Sequence, residues 1–164
     1  MSEKKRIAIY CRIGTADSLG KAAYATQQQR YAEIVKAHDN WELAGMYTDF
    51  GVKWHSPIRP ELSKLLYECR QGKFDLIITE SVSDLHKNLV GAIAVIQDLW
   101  DNNPPVGVYF CDTRLNTIAA DEKTMLTHIL TWTAIEESRQ KADYVRGIRR
   151  GQFNCLTHKT KENA

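Results

Sequence analysis

The stretch YCRIGTAD, residues 10 to 17, carries the first side chain that could do chemistry, Arg12, out of an apolar run and into a polar loop. A guanidinium presents planar, fixed donors suited to an anionic oxygen. The loop brings no obvious nucleophile with it: Gly14 has no side chain, and nothing nearby activates Ser18 or, further on, Ser83. Cys11, Cys69, Cys111 and Cys155 lie far apart without CxxC spacing, and two of them end apolar runs, so they are expected to be buried free thiols. His38, His55, His86, His128 and His158 have no metal-ligand spacing, and no metal or cofactor is expected. A phosphate- or flavin-binding domain is disfavoured, because residues 11 to 20 offer only Gly14 and Gly20 as a cradle.

The elements that must position these residues are legible as alternating runs. Residues 5 to 11, 43 to 48, 74 to 79 and 106 to 111 are short apolar or β-rich segments bounded by turn residues or charges, and they are expected to be buried strands. Residues 20 to 38, 60 to 71 and 88 to 102 have helical period, the middle one opening on Pro60 and stopped by Gly72. Strands alternating with helices imply a three-layer α/β fold, with a mainly parallel sheet of four or five strands and helices on both faces. Functional groups in such sheets gather at the carboxyl ends of the strands, here residues 11 to 17, 48 to 56, 79 to 87 and 111 to 117.

The last segment, from about Asp121 to Gly151, is expected to be one long helix with two apolar faces, Met125, Ile129, Trp132 and Ile135 on one and Leu126, Leu130 and Ala134 on the other. One face would pack on the sheet and the other on a second copy of the chain. Beyond Glu137 the helix turns basic. From residue 139 onward seven cations oppose two carboxylates, a net +5, although the whole chain carries only +2. Arg139, Lys141, Arg146, Arg149 and Arg150 form an arm suited to a polyanion, DNA above all. The expected organisation is a domain over 1–120, a helix for dimerisation and DNA contact over 121–151, and a tail over 152–164. At 164 residues, 43% hydrophobic and 26% charged, the chain suits a single globular domain. Neither a membrane span nor a secretory leader is expected, and a cytoplasmic location is expected.

Five segments, taken in order, are similar to the catalytic domain of serine site-specific recombinases, the resolvase/invertase family: IYCRIGT, YATQQQRY, YTDFGVKWHSPIRPELSKLL, GKFDLIITESVSDLHKN and AIEESRQKADYVRGIRRG. The likeness runs from about residue 5 to residue 151 and is greatest to the large recombinases of Gram-positive mobile elements. It implies a DNA strand-exchange domain, in which a serine in a Tyr-x-Arg-x-Ser pattern attacks a backbone phosphate while arginines neutralise the phosphate charge. Carried onto this chain, the resemblance assigns Arg12 to the first-strand arginine, Gln27 to the helix glutamine, Asp49 to the aspartate after the second strand, Arg59 to the RPEL arginine and Glu137 to the long-helix glutamate.

The same comparison puts Gly14 at the serine position and Asp84 and Lys87 where relatives carry two arginines; Glu80 stands where they carry lysine. A carboxylate in place of an arginine near a phosphate moves the interaction by roughly 6 kcal/mol in the unfavourable direction at a separation of about 5 Å and an effective dielectric near 20. Lys87 keeps the charge and loses the fork geometry. Three changes beside Gly14 argue against a single laboratory substitution. The resemblance therefore implies a recombinase-like protein of a mobile element without strand cleavage, acting as a DNA-associated or subunit-associated regulator and pairing with itself or with an active relative. Two alternatives stay open: an active recombinase that uses another hydroxyl, such as Thr15, and a pure dimerisation module. Asp49 and Arg59 could also be a structural ion pair bracing the 50 to 59 loop, Gln27 a solvated helix residue, and Trp54 a partner contact. Recognition domains follow the long helix in the family; with 13 residues beyond Gly151, the chain is either a fragment or has given up sequence-specific binding.

Overall fold

The computed structural model describes residues 3–53 and 55–162, with side chains to residue 147 except at 122. Trp54, Arg149 and Arg150, singled out above, lie outside the described residues or side chains. Five strands form one sheet: β1 (Lys5–Ile13), β2 (Trp41–Phe50), β3 (Leu76–Thr79), β4 (Gly107–Phe110) and β5 (Leu115–Asn116), in the order β2-β1-β3-β4-β5. All neighbours are parallel except β5, which returns antiparallel on β4. β5 is two residues long, too short for any periodicity to reveal it.

The helices before the C-terminal segment are α1 (Ser18–Lys36), α2 (Pro60–Arg70), α3 (Val82–Leu85) and α4 (Leu89–Trp100). Alternation along β1 divides the core. Ile7, Ile9 and Cys11 point to the α1 side, where they pack with Tyr31, Val35, Leu76, Ile78 and Cys111. Ala8 and Tyr10 point to the opposite side, and α2 covers it through Leu62, Leu65 and Cys69, with α4 beside it through Ala92, Ile96 and Leu99. Burial of Cys11, Cys69 and Cys111 pushes each thiol up to about 12, which makes them inert apolar fillers.

One irregularity in the sheet bears directly on function. The β1–β2 register pairs Ile7 with Leu43 but Ala8 with Gly45, so Ala44 is an extra residue in β2. A bulge of one residue flips every later side chain to the other face. It is this shift that brings Asp49 opposite Arg12 and onto the side covered by α2. The chain leaves β2 through Gly51, whose φ of +69° is open to glycine and strained for other residues. Gly72, at φ +71°, terminates α2 in the same way.

Residues up to Met125 make one compact unit and those from Leu126 a second. The second is the body of α5 (Glu122–Glu162), which has 41 residues and is therefore about 60 Å long. Helical backbone does not stop at Gly151, as the sequence led us to expect, but continues to Glu162. An interior glycine costs a helix only about 1 kcal/mol, and good helix formers on either side outweigh it. On α5, Leu126, Leu130, Ile135, Tyr144 and Val145 are exposed and Trp132 is buried. Among the described residues, no helix is long and apolar enough to cross a membrane.

Candidate active site

The carboxyl ends of β1, β2 and β3 bring together Arg12, Asp49, Arg59 and Asp84, four of the residues that the sequence nominates. Gly14 lies just past the end of β1 and is exposed. A Cβ built there meets nothing within 4 Å, and its φ is outside the left-handed region. Neither the backbone nor the packing therefore requires glycine, and a serine would fit. Thr15 does not take its place. Its hydroxyl turns away to donate to Asp17 (3.0 Å), the N-cap of α1, which also accepts from the Gly20 N–H (3.0 Å). These hydrogen bonds, the Gly20 amide first, hold the Asp17 carboxyl below its usual range, so it is a poor base for activating a hydroxyl.

Asp49 is 3% exposed and functions as a brace. One carboxylate oxygen accepts the Glu61 N–H (3.1 Å), and the other accepts the Leu62 N–H (3.2 Å) and the Tyr10 hydroxyl (3.0 Å). The first turn of α2 is thus capped by a residue twelve positions upstream, as orphan helix donors require. Burial first, then the Asp49 charge, pushes the Tyr10 hydroxyl far up, which keeps it a neutral donor. Arg59, immediately before α2 and 5% exposed, turns its Nη1 to the carbonyl of Ser83 (3.1 Å) and to that of Asp84. Asp49 thus holds the first turn of α2, and Arg59 holds the carbonyls of α3.

Asp84 is buried: its side chain is 8% exposed and paired with Arg12 (Nε to Oδ1, 3.0 Å). Its other oxygen accepts the Ser81 N–H (3.1 Å), the reciprocal half of a capping box, and the Thr79 hydroxyl (3.4 Å). Burial raises the Asp84 carboxyl, and Arg12 is the first of the groups that pull it back. Arg12 Nη1 donates to the Val52 carbonyl (3.1 Å), so this guanidinium is engaged at two points. Glu80 repeats the theme: it accepts two bonds from Arg30 (2.9 and 3.1 Å) and one from the Tyr31 hydroxyl (3.2 Å). Both carboxylates after β3 hold an arginine brought by another element.

The remaining nominated residues make none of these hydrogen bonds. Gln27, on α1, is half-buried with its amide oxygen enclosed and without a hydrogen-bond partner, which is not the environment of a solvated residue. Lys87 is exposed and lines, with Arg59, His86 and Ser56, a cavity of about 150 Å³ between α2 and α4. Glu137, Lys141 and Arg146 are exposed on α5, where Arg139 pairs with Glu136 and Arg146 with Asp143 (3.5 Å). The Arg146–Asp143 pair is exposed, so it contributes little and yields readily to a stronger anion, whereas Arg139–Glu136 is half-buried. Sequence reasoning missed Tyr10, Arg30, Thr79 and Ser81. Only Ser81 carried a signal, a serine three residues before a carboxylate.

Among the described residues, no three His, Cys, Asp or Glu side chains gather as a metal site. A search of curated proteins finds no match. Solved structures with the same fold include the N-terminal catalytic domain of TP901-1 integrase, at 20% identity and a TM-score of 0.58 over 84% of this chain and 98% of that one. A resolvase family site-specific recombinase from Streptococcus pneumoniae aligns at 16% identity and a TM-score of 0.65, over 90% of this chain and 97% of the other. The C-terminal catalytic domain of ISC1926 TnpA, an IS607-like serine recombinase, aligns at 13% and 0.55, over 77% and 78%. The family model described as "Resolvase, N terminal domain" matches residues 7–153, and the chain accordingly belongs to that family.

Proposed function

We propose that this chain is a DNA-associated member of the resolvase family that does not cleave strands and acts by assembling with itself or with a cleaving relative. The observation that carries the reading is the end of β1: Gly14 sits in open space where a nucleophile would project, and the neighbouring Arg12 is held by Asp84. Covalent catalysis needs a hydroxyl to attack phosphorus and a cation to meet the developing charge. Here the first is missing and the second is occupied. Thr15, the only hydroxyl adjacent to Gly14, is directed to the α1 N-cap.

DNA contact would then fall to the arm of α5 through Arg139, Lys141, Arg146, Arg149 and Arg150, and self-association to its exposed apolar residues Leu126, Leu130 and Ile135. Backbone-directed contact of that kind is salt-sensitive and indifferent to sequence. If each of the five cations neutralises one phosphate, log affinity should fall against log salt with a slope of about −4.5. The test pairs that titration on duplex DNA with incubation on a nicked duplex carrying a family-type site. Weak, salt-dependent binding without a covalent protein–DNA adduct is expected. An adduct formed by the unaltered chain, and lost in Thr15→Ala, would overturn the reading, as would affinity independent of salt.

A further inference from the structure

The Asp84 carboxylate is held by three donors of different kinds on three segments: the Arg12 guanidinium at 3.0 Å, the Ser81 backbone N–H at 3.1 Å and the Thr79 hydroxyl at 3.4 Å. A guanidinium, a main-chain amide and a hydroxyl converging on one pair of oxygens form a donor set for an oxyanion. Arg59 stiffens the arrangement from behind, because it fixes the Ser83 and Asp84 carbonyls and so the turn from which the carboxylate projects. The oxyanion filling the site belongs to the chain itself. A residue serving only as a helix cap would need the Ser81 amide alone; this one also holds an arginine from a strand 72 positions away.

We infer that Asp84 is the internal occupant of an oxyanion site made by Arg12, Thr79 and the Ser81 amide, a site that takes a small external oxyanion once the Asp84 carboxylate is removed. In the native chain the site is self-blocked, and its guanidinium is withheld from any phosphate arriving at the end of β1. The inference deepens the proposed function and rests on it for the site's ancestry. Its test contains no DNA, so failure of the one is distinguishable from failure of the other.

The experiment uses the full chain with Asp84→Ala or Asp84→Ser, each also combined with Arg12→Ala. The thermal midpoint is followed while sodium formate or inorganic phosphate replaces sodium chloride at matched ionic strength. Formate has the size of the missing carboxylate; phosphate reports whether the site opens to a tetrahedral anion. The unaltered chain should respond to neither anion. Asp84→Ala should be stabilised by formate with a half-saturation at least about tenfold lower than any seen in the parent, and Arg12→Ala should abolish that response. Asp84→Ser, which also vacates the place of the carboxylate, decides the matter if the alanine variant does not fold. Equal anion response in parent and variants, or a response that survives Arg12→Ala, overturns the inference. So does loss of the fold in both single variants, which would make Asp84 a structural keystone that no external anion replaces.

Discussion

Replacing Asp49 with alanine removes the acceptor of three donors at once, the Tyr10 hydroxyl and the Glu61 and Leu62 amides, at a position that is 3% exposed. Losing a helix cap costs about 1 kcal/mol, and each buried donor left without an acceptor costs about 1–3 kcal/mol. The three losses share one side chain and are not additive, so a total of about 3–5 kcal/mol is expected. For a chain of this length each kcal/mol moves the thermal midpoint by about 2–4 °C, which gives a fall of roughly 6 to 20 °C. Asp49→Asn keeps one acceptor oxygen and should recover part of the loss. The assay is thermal unfolding followed by circular dichroism on parent and variants. An alanine variant melting within about 2 °C of the parent would refute the reasoning, because a carboxylate reserved for substrate would contribute nothing to the fold.

Gly14→Ser should leave the midpoint within the range that corresponds to about 0.5 kcal/mol, since a Cβ at 14 has no neighbour within 4 Å, and it should not by itself produce a DNA adduct while Asp84 holds Arg12; calorimetry and a nicked-substrate assay check the two halves. Gly20→Ala should destabilise by about 1–3 kcal/mol or more, because its Cβ would lie 2.1 Å from the Thr15 carbonyl oxygen, and denaturant midpoints will read this. The hydrogen bond from Arg6 lowers the Asp75 carboxyl, so its contribution to stability is present above the unfolded value near pH 3.9 and is lost as pH falls through the folded value. Asp75→Asn should therefore be less stable than the parent at neutral pH, with the gap closing as pH falls through the folded value, as measured by urea midpoints across an acid series.

The sequence reveals the strands and long helices because burial dictates their patterns. Ile7, Ile9, Leu76 and Ile78 must be apolar to fill the α1 face, and Pro60 and Gly72 bracket α2 for reasons local to the backbone. It conceals what depends on register. Nothing in WELAGMYTDF announces that Ala44 is an extra residue, yet that bulge decides whether Asp49 meets α2 or the opposite face. The site residues divide along the same line. Arg12, Asp49, Arg59 and Asp84 could be nominated from residue type and order, but their partners, Val52, Tyr10, Glu61 and Ser81, come from separate segments and are set only by the fold. For Asp84 the sequence shows the type and sign of the side chain, while its burial and its three donors, which make it an internal counter-ion, are set by the fold.

The two departures at the strand ends act on different terms of one reaction, and this is why repairing either alone should fail. On the proposed reading Gly14 lacks the atom that would form the covalent bond, and the open space around it would accept a serine. On that reading, Asp84 engages the cation that would meet the phosphate, by setting a negative charge from within the chain 3.0 Å from Arg12. An arginine at 84 would reverse this, but in the absence of phosphate it would place a third guanidinium beside Arg12 and Arg59 where the native side chain is 8% exposed. Like charges so enclosed oppose folding unless an anion lies between them. A carboxylate at 84 therefore stabilises the empty domain, which is what the proposed non-cleaving subunit requires.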